Sequence, residues 1–76
     1  MVTIRLAVGL RHHSDGKEEV WVEAGGFDAV VKKLRIAHDE MGMVLVNDRP
    51  VDSRERRELI LNDDDVVDIY PIFGGG

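Results

Sequence analysis

The sequence predicts a two-layer α+β domain, with one helix lying across one face of a mixed sheet. Three observations carry this. The chain opens on a period-two apolar pattern, changes to a helical period at residue 27, and then returns to short apolar runs separated by turn residues.

The first run places Val2, Ile4, Leu6, Val8 and Leu10 on one face and Thr3, Arg5, Ala7 and Gly9 on the other, the signature of a strand with one buried face. Ser14-Asp15-Gly16 is a turn signal. Residues 19–24 alternate again, with Val20 and Val22 opposed to Glu19, Trp21 and Glu23, so residues 2–24 read as a β-hairpin. Gly25-Gly26 breaks the pattern. Phe27, Val30, Val31 and Leu34 then stand at i, i+3, i+4 and i+7, one apolar stripe of a helix. Asp28 in its first turn and Lys32, Lys33 and Arg35 in its last suit the helix dipole.

Residues 43–46 form a short apolar strand. Asn47-Asp48, both tolerant of positive φ, make a tight hairpin into a weak return strand at Arg49-Pro50-Val51, where Pro50 marks an edge. The charged residues 52–58 read as an irregular turn. Leu59-Ile60-Leu61 re-enters the core, Asn62 to Asp65 turn, and residues 66–72 form the last strand. That strand is expected at the centre, parallel to the first, with regular pairing loosened at Pro71, which has no N–H to donate.

The sequence has 76 residues, enough for one small domain. A domain of this size buries only roughly 60% of its unfolded-chain surface. With no cysteine there is neither a disulfide nor a thiol nucleophile. The 15 acidic and 10 basic side chains give a net charge of −5, which argues against a nucleic-acid partner. No apolar run reaches the length of a membrane span and no signal peptide is visible, so a cytoplasmic setting is expected.

The candidate functional segment is the end of the chain. A folded domain, residues 1–72, is followed by a tail, residues 73–76, of Phe73-Gly74-Gly75-Gly76. Glycine has no Cβ, so such a tail is thin enough to enter a channel that side chains would block. Extended at about 3.3 Å per residue it reaches roughly 13 Å. The group carried at its tip is the Gly76 carboxylate. Docking contacts elsewhere must offset the cost of ordering the tail; Tyr70, Ile72 and Phe73, which lead into it, and Trp21 are the candidates for them, with core packing for the first three and sheet cover for Trp21 as the alternative.

Leu45-Val46-Asn47-Asp48-Arg49-Pro50-Val51, Leu61-Asn62-Asp63-Asp64-Asp65-Val66-Val67 and Ile69-Tyr70-Pro71-Ile72 with the glycine tail resemble the β-grasp, ubiquitin-like sulfur carriers. The match is best to the small subunit of molybdopterin synthase, in which a proline precedes the terminal diglycine as Pro71 does here. The thiamine-pathway sulfur carrier is the close cousin. Asp48 and Asp64 stand where the family has glycine. Ile72 replaces a second proline, and three glycines end the chain, which leaves the pathway open.

The resemblance implies a β-grasp mixed sheet with one crossing helix. It also implies a carrier that is not itself an enzyme and binds no cofactor. A free C-terminal carboxylate has a pKa of roughly 3.5, so it is anionic and a poor electrophile at neutral pH. In the family an E1-like adenylyltransferase uses ATP and magnesium to form the acyl-adenylate at the residue matching Gly76. A sulfur donor protein then displaces AMP, leaving a thiocarboxylate, and a larger synthase subunit receives the sulfur. Two other readings stay open: a ubiquitin-like modifier conjugated to lysines through the same terminus, and a non-catalytic interaction module.

Rival sites are weaker. Adjacent carboxylates at Asp63-Asp64-Asp65 lack the spaced ligands of a calcium loop. His12-His13 with Asp15, or His38-Asp39-Glu40, read as solvated loops, because neighbouring side chains diverge and no further cluster completes a ligand set; no metal is expected. Arg54, Arg56 and Arg57, interleaved with Glu55 and Glu58, read as a solvated charged turn. Gly25-Gly26 lacks the spacing of a phosphate loop.

Overall fold

A computed structural model describes residues 1–72. The elements are β1 (Val2–Leu6), a 3₁₀ segment (Val8–Ser14), β2 (Glu19–Val22), β3 (Gly25–Gly26), α1 (Phe27–Lys33), a 3₁₀ turn (His38–Glu40), β4 (Met41–Val46), β5 (Arg49–Val51), α2 (Ser53–Glu58), β6 (Ile60–Leu61) and β7 (Val66–Pro71). Five strands form one mixed sheet in the order β2-β1-β7-β4-β5, and β3 pairs with β6 beside it. β7 lies at the centre, parallel to β1 and antiparallel to β4, as the sequence predicts.

One face of the sheet is the core. Val2, Ile4 and Leu6 of β1, Val67 and Ile69 of β7 and Val44 of β4 pack with Phe27, Val30 and Val31 of α1, joined by Leu10, Ile36, Met41 and Leu61. Val20, Val22 and Leu34 pack partly buried against this cluster, which places the predicted apolar stripe of α1 on the sheet. The helix ends at Lys33, and Arg35 beyond it takes a φ of 59°.

Three expectations need correction. The opening strand stops at Leu6, four residues short of Leu10, and Val8 is 75% exposed in the 3₁₀ segment. Pro71 accounts for this. The last parallel hydrogen bond runs from Ala7 N to Ile69 O. The next rung needs an N–H from Pro71, which has none. The ladder therefore ends, and the chain coils over the end of β7 so that Leu10 still reaches the core.

Residues 52–58 are not an irregular turn but contain α2, whose start is capped by Asp52 Oδ1 accepting from Glu55 N at 2.8 Å. Arg56 is buried rather than solvated, and its Nη1 donates to Gly42 O at 3.3 Å. Arg54 and Arg57 are exposed as expected. Gly25-Gly26 is more than a break, since it pairs antiparallel with Ile60-Leu61 and brings α1 onto the sheet.

The Asn47-Asp48 hairpin has φ of 51° and 67°, the left-handed pair that a two-residue hairpin turn requires. Its Asn47 also ties two turns together. Asn47 Nδ2 donates to Asp65 Oδ1 at 3.0 Å, and Asn47 Oδ1 accepts from Val66 N at 2.9 Å. The start of the central strand is thereby fixed to the β4–β5 hairpin.

Candidate functional site

β7 delivers the chain from the centre of the sheet to its edge at Pro71. Two structural features hold this exit. On one side, Met41 pairs with Pro71 while Val44 pairs with Ile69, so β4 carries a bulge at Gly42-Met43 opposite Tyr70. A Cβ on Gly42 would stand 2.5 Å from Pro71 O, so any other residue there forces the backbone to shift. On the other side, the 3₁₀ segment crosses Pro71 so closely that a Cβ on Gly9 would stand 3.1 Å from Pro71 Cγ. The loosened pairing expected at Pro71 is thus present on both of its neighbours.

Tyr70 and Ile72 are exposed at this exit, Ile72 by 58%. Met43, 57% exposed, lies across the bulge from Tyr70 and joins them. Sequence reading missed Met43 as a surface residue, although the alternation with buried Val44 pointed to it. Trp21 is exposed on the same outer face but is not part of this group. It sits opposite Thr3, which pairs with Val66, four residues down β7 from Tyr70. At about 3.3 Å per residue that is roughly 13 Å along the strand, and β1 lies between. The row between them is charged: Arg5 reaches Glu19 at 3.4 Å and Asp68 at 3.8 Å. Phe73, Gly74, Gly75 and Gly76 lie outside the described residues.

The acidic turn before β7 is built from hydrogen bonds. Asp65 accepts from Asn62 N at 2.8 Å as well as from Asn47, and Asp63 accepts from the Met1 ammonium at 2.6 Å. The hydrogen bond from Asn47, then that from Asn62, pulls the Asp65 carboxyl below the usual aspartate range.

The histidines depart from the sequence reading. His12 and His13 do not diverge, their ring centroids lying 4.1 Å apart, and the 3₁₀ segment turns both toward Glu40. His12, His13 and Glu40 each place a ligand-type atom within 4.8 Å of the others. Asp15 and His38 are not part of the group, and His38 Nε2 instead faces Asp28 Oδ1 at 2.8 Å. Glu40 is held below the usual glutamate range, first by the Ala37 N–H and then by His13. Its lone sequence neighbours gave no hint of this, because the contact spans 27 residues.

Comparison with known proteins bears on the chain end. The model of the ThiS family matches residues 7–76. Among solved structures the fold is similar to a chain of the Amycolatopsis orientalis BexX/CysO complex, with 27% identity, all of both chains covered and a TM-score of 0.70. It is also similar to Mycobacterium tuberculosis CysO, described as an antigen, with 21% identity over 96% of this chain and 100% of that one and a TM-score of 0.76. The latter likeness shows the fold alone. No curated protein matches the sequence.

Proposed function

The chain belongs to the ThiS family of β-grasp sulfur carriers, and from that premise we propose that Gly76 is its reacting end, adenylated and then converted to a thiocarboxylate. Carriers of this family are substrates of E1-like enzymes and not catalysts. The observation that carries the proposal is the family match running through residue 76, onto a chain end that leaves the central strand at a shaped exit.

The chemistry balances without any catalytic group from this chain. The Gly76 carboxylate attacks the α-phosphorus of ATP, and pyrophosphate leaves. Magnesium and the basic groups of the adenylyltransferase offset the charge. A persulfide-bearing donor protein then attacks the acyl carbon and expels AMP. Reductive cleavage of the resulting acyl disulfide by a thiol leaves the thiocarboxylate. Phe73, Gly74 and Gly75 thread the enzyme's channel, while Tyr70 and Ile72, with Met43, supply the docking contact at its mouth. Trp21 is an outlying contact on the same face.

The Amycolatopsis BexX/CysO complex supports a protein partner for this chain. The larger subunit of a synthase of the molybdopterin type is favoured over a thiamine-pathway client, on the position of Pro71 alone. Deletion of Gly76 tests the role. The truncated chain is expected to keep its unfolding midpoint and to give no ATP–pyrophosphate exchange with an E1-like enzyme that activates the full chain. Undiminished exchange would refute the assignment of Gly76. Sulfur transfer to each purified client in turn decides the pathway, and lysine conjugates formed instead of sulfur transfer would make the chain a modifier.

A further inference from the structure

We propose that His12, His13 and Glu40 form a binding site for a borderline first-row divalent ion such as Zn²⁺, with two imidazole nitrogens and one carboxylate oxygen as ligands. The hydrogen-bond pattern of His13 is the starting point. Its Nδ1 faces Leu34 O at 3.1 Å, a contact that requires a proton on Nδ1 because a carbonyl oxygen only accepts. The other nitrogen, Nε2, points at Glu40 Oε2 at 2.8 Å. In the neutral ring that leaves two acceptor atoms facing each other, a conflict that either a proton on Nε2 or a cation bound beside both atoms resolves.

The surroundings match those of a metal ligand. Ligating histidines donate their second ring N–H to a carbonyl or carboxylate, which fixes tautomer and orientation, and His13 does this to Leu34. Glu40 is oriented in the same way, since its Oε1 accepts from Ala37 N at 3.0 Å while Oε2 is turned to the histidines. His12 Nε2 stands 4.0 Å from the same Oε2. Metal–ligand bonds of roughly 2.0–2.1 Å at tetrahedral angles put neighbouring ligand atoms about 3.3 Å apart. The two observed separations lie on either side of that value. His13 is only 11% exposed and so provides a fixed ligand, whereas His12, 66% exposed, is free to adjust. Three ligands leave at least one coordination position for water or another molecule. Nitrogen and oxygen donors on an open site suit Zn²⁺, Ni²⁺ or Cu²⁺ and do not suit Ca²⁺ or Mg²⁺.

The site joins the two segments that hold the exit of the chain. His12 and His13 belong to the 3₁₀ segment whose Gly9 lies against Pro71, and Glu40 immediately precedes Met41, which pairs with Pro71. A bound ion therefore ties both flanks of Pro71 together.

The test is calorimetric titration of the untagged full-length chain with Zn²⁺ at neutral pH, with circular dichroism to verify the fold of each variant. One ion per chain is expected. His13→Gln and Glu40→Gln are expected to abolish binding, and His12→Asn to weaken it on the order of tenfold or more. Because His12 is exposed, its variant folds even if the other two do not. The proposal is overturned if Zn²⁺ does not bind, leaving a histidine–carboxylate ion pair, or if binding survives His12→Asn unchanged. Neither result depends on the tail, so Gly76 deletion leaves zinc binding intact whatever it does to activation.

Discussion

At the scale of single residues, the exit of the central strand depends on two atoms that are missing. Pro71 has no N–H, so the ladder with β1 ends and the chain is released into a 3₁₀ segment. Gly42 has no Cβ, so β4 bulges against Pro71 O. Gly42→Ala is therefore expected to destabilise the fold by about 1–3 kcal/mol, the usual cost of overpacking, measured as a lower urea midpoint. Gly16, where no atom lies within 4 Å of an added Cβ, meets no such clash. Asp65 makes a second residue-scale prediction. Its folded carboxyl is pulled below the ordinary value, so the stability it contributes is full above about pH 4 and is lost as the pH falls through the lowered value. Asp65→Asn is expected to flatten the acid side of the stability–pH profile, read from urea midpoints between about pH 2 and pH 6. An unchanged acid limb would contradict the Asn47–Asp65 link.

At the scale of elements, periodicity made β1, α1 and β7 legible, because each buries one face against the same core. Val2, Ile4 and Leu6 alternate inward, and Phe27, Val30 and Val31 share one helical stripe. The 3₁₀ segment was not legible: Val8 and Leu10 continue the alternation, and only the pairing partner across the sheet, Pro71, ends the strand. α2 was hidden because it lacks an apolar stripe; its inward side chain is Arg56, which reads as charged surface. In hindsight Asp52 three residues before Glu55 was the signal, a side-chain cap for a helix start. Asp52→Ala is expected to cost about 1 kcal/mol of stability, within the ordinary range for a lost cap. The histidine–glutamate cluster was illegible for a different reason. Residues 27 apart are brought together by the fold, and no local spacing records that.

At the scale of the whole molecule, the two faces of the sheet differ. One face is sealed by α1. The other carries a charged row from Glu19 through Arg5 to Asp68, then the apolar group of Met43, Tyr70 and Ile72 at the exit. Ile72→Glu is expected to raise the KM of the adenylyltransferase for this chain about tenfold, equivalent to about 1–2 kcal/mol of docking energy, with little change in unfolding midpoint. Trp21→Ala, on the far side of the charged row, is expected to have the smaller effect. The measurement that tests the central claim most directly is intact mass of the full chain after incubation with an E1-like enzyme, ATP and a sulfur donor. A gain equal to replacing one oxygen by sulfur, absent when Gly76 is deleted, is the predicted result. An unchanged mass with an enzyme that activates other carriers of the family, or a gain that persists without Gly76, would contradict it.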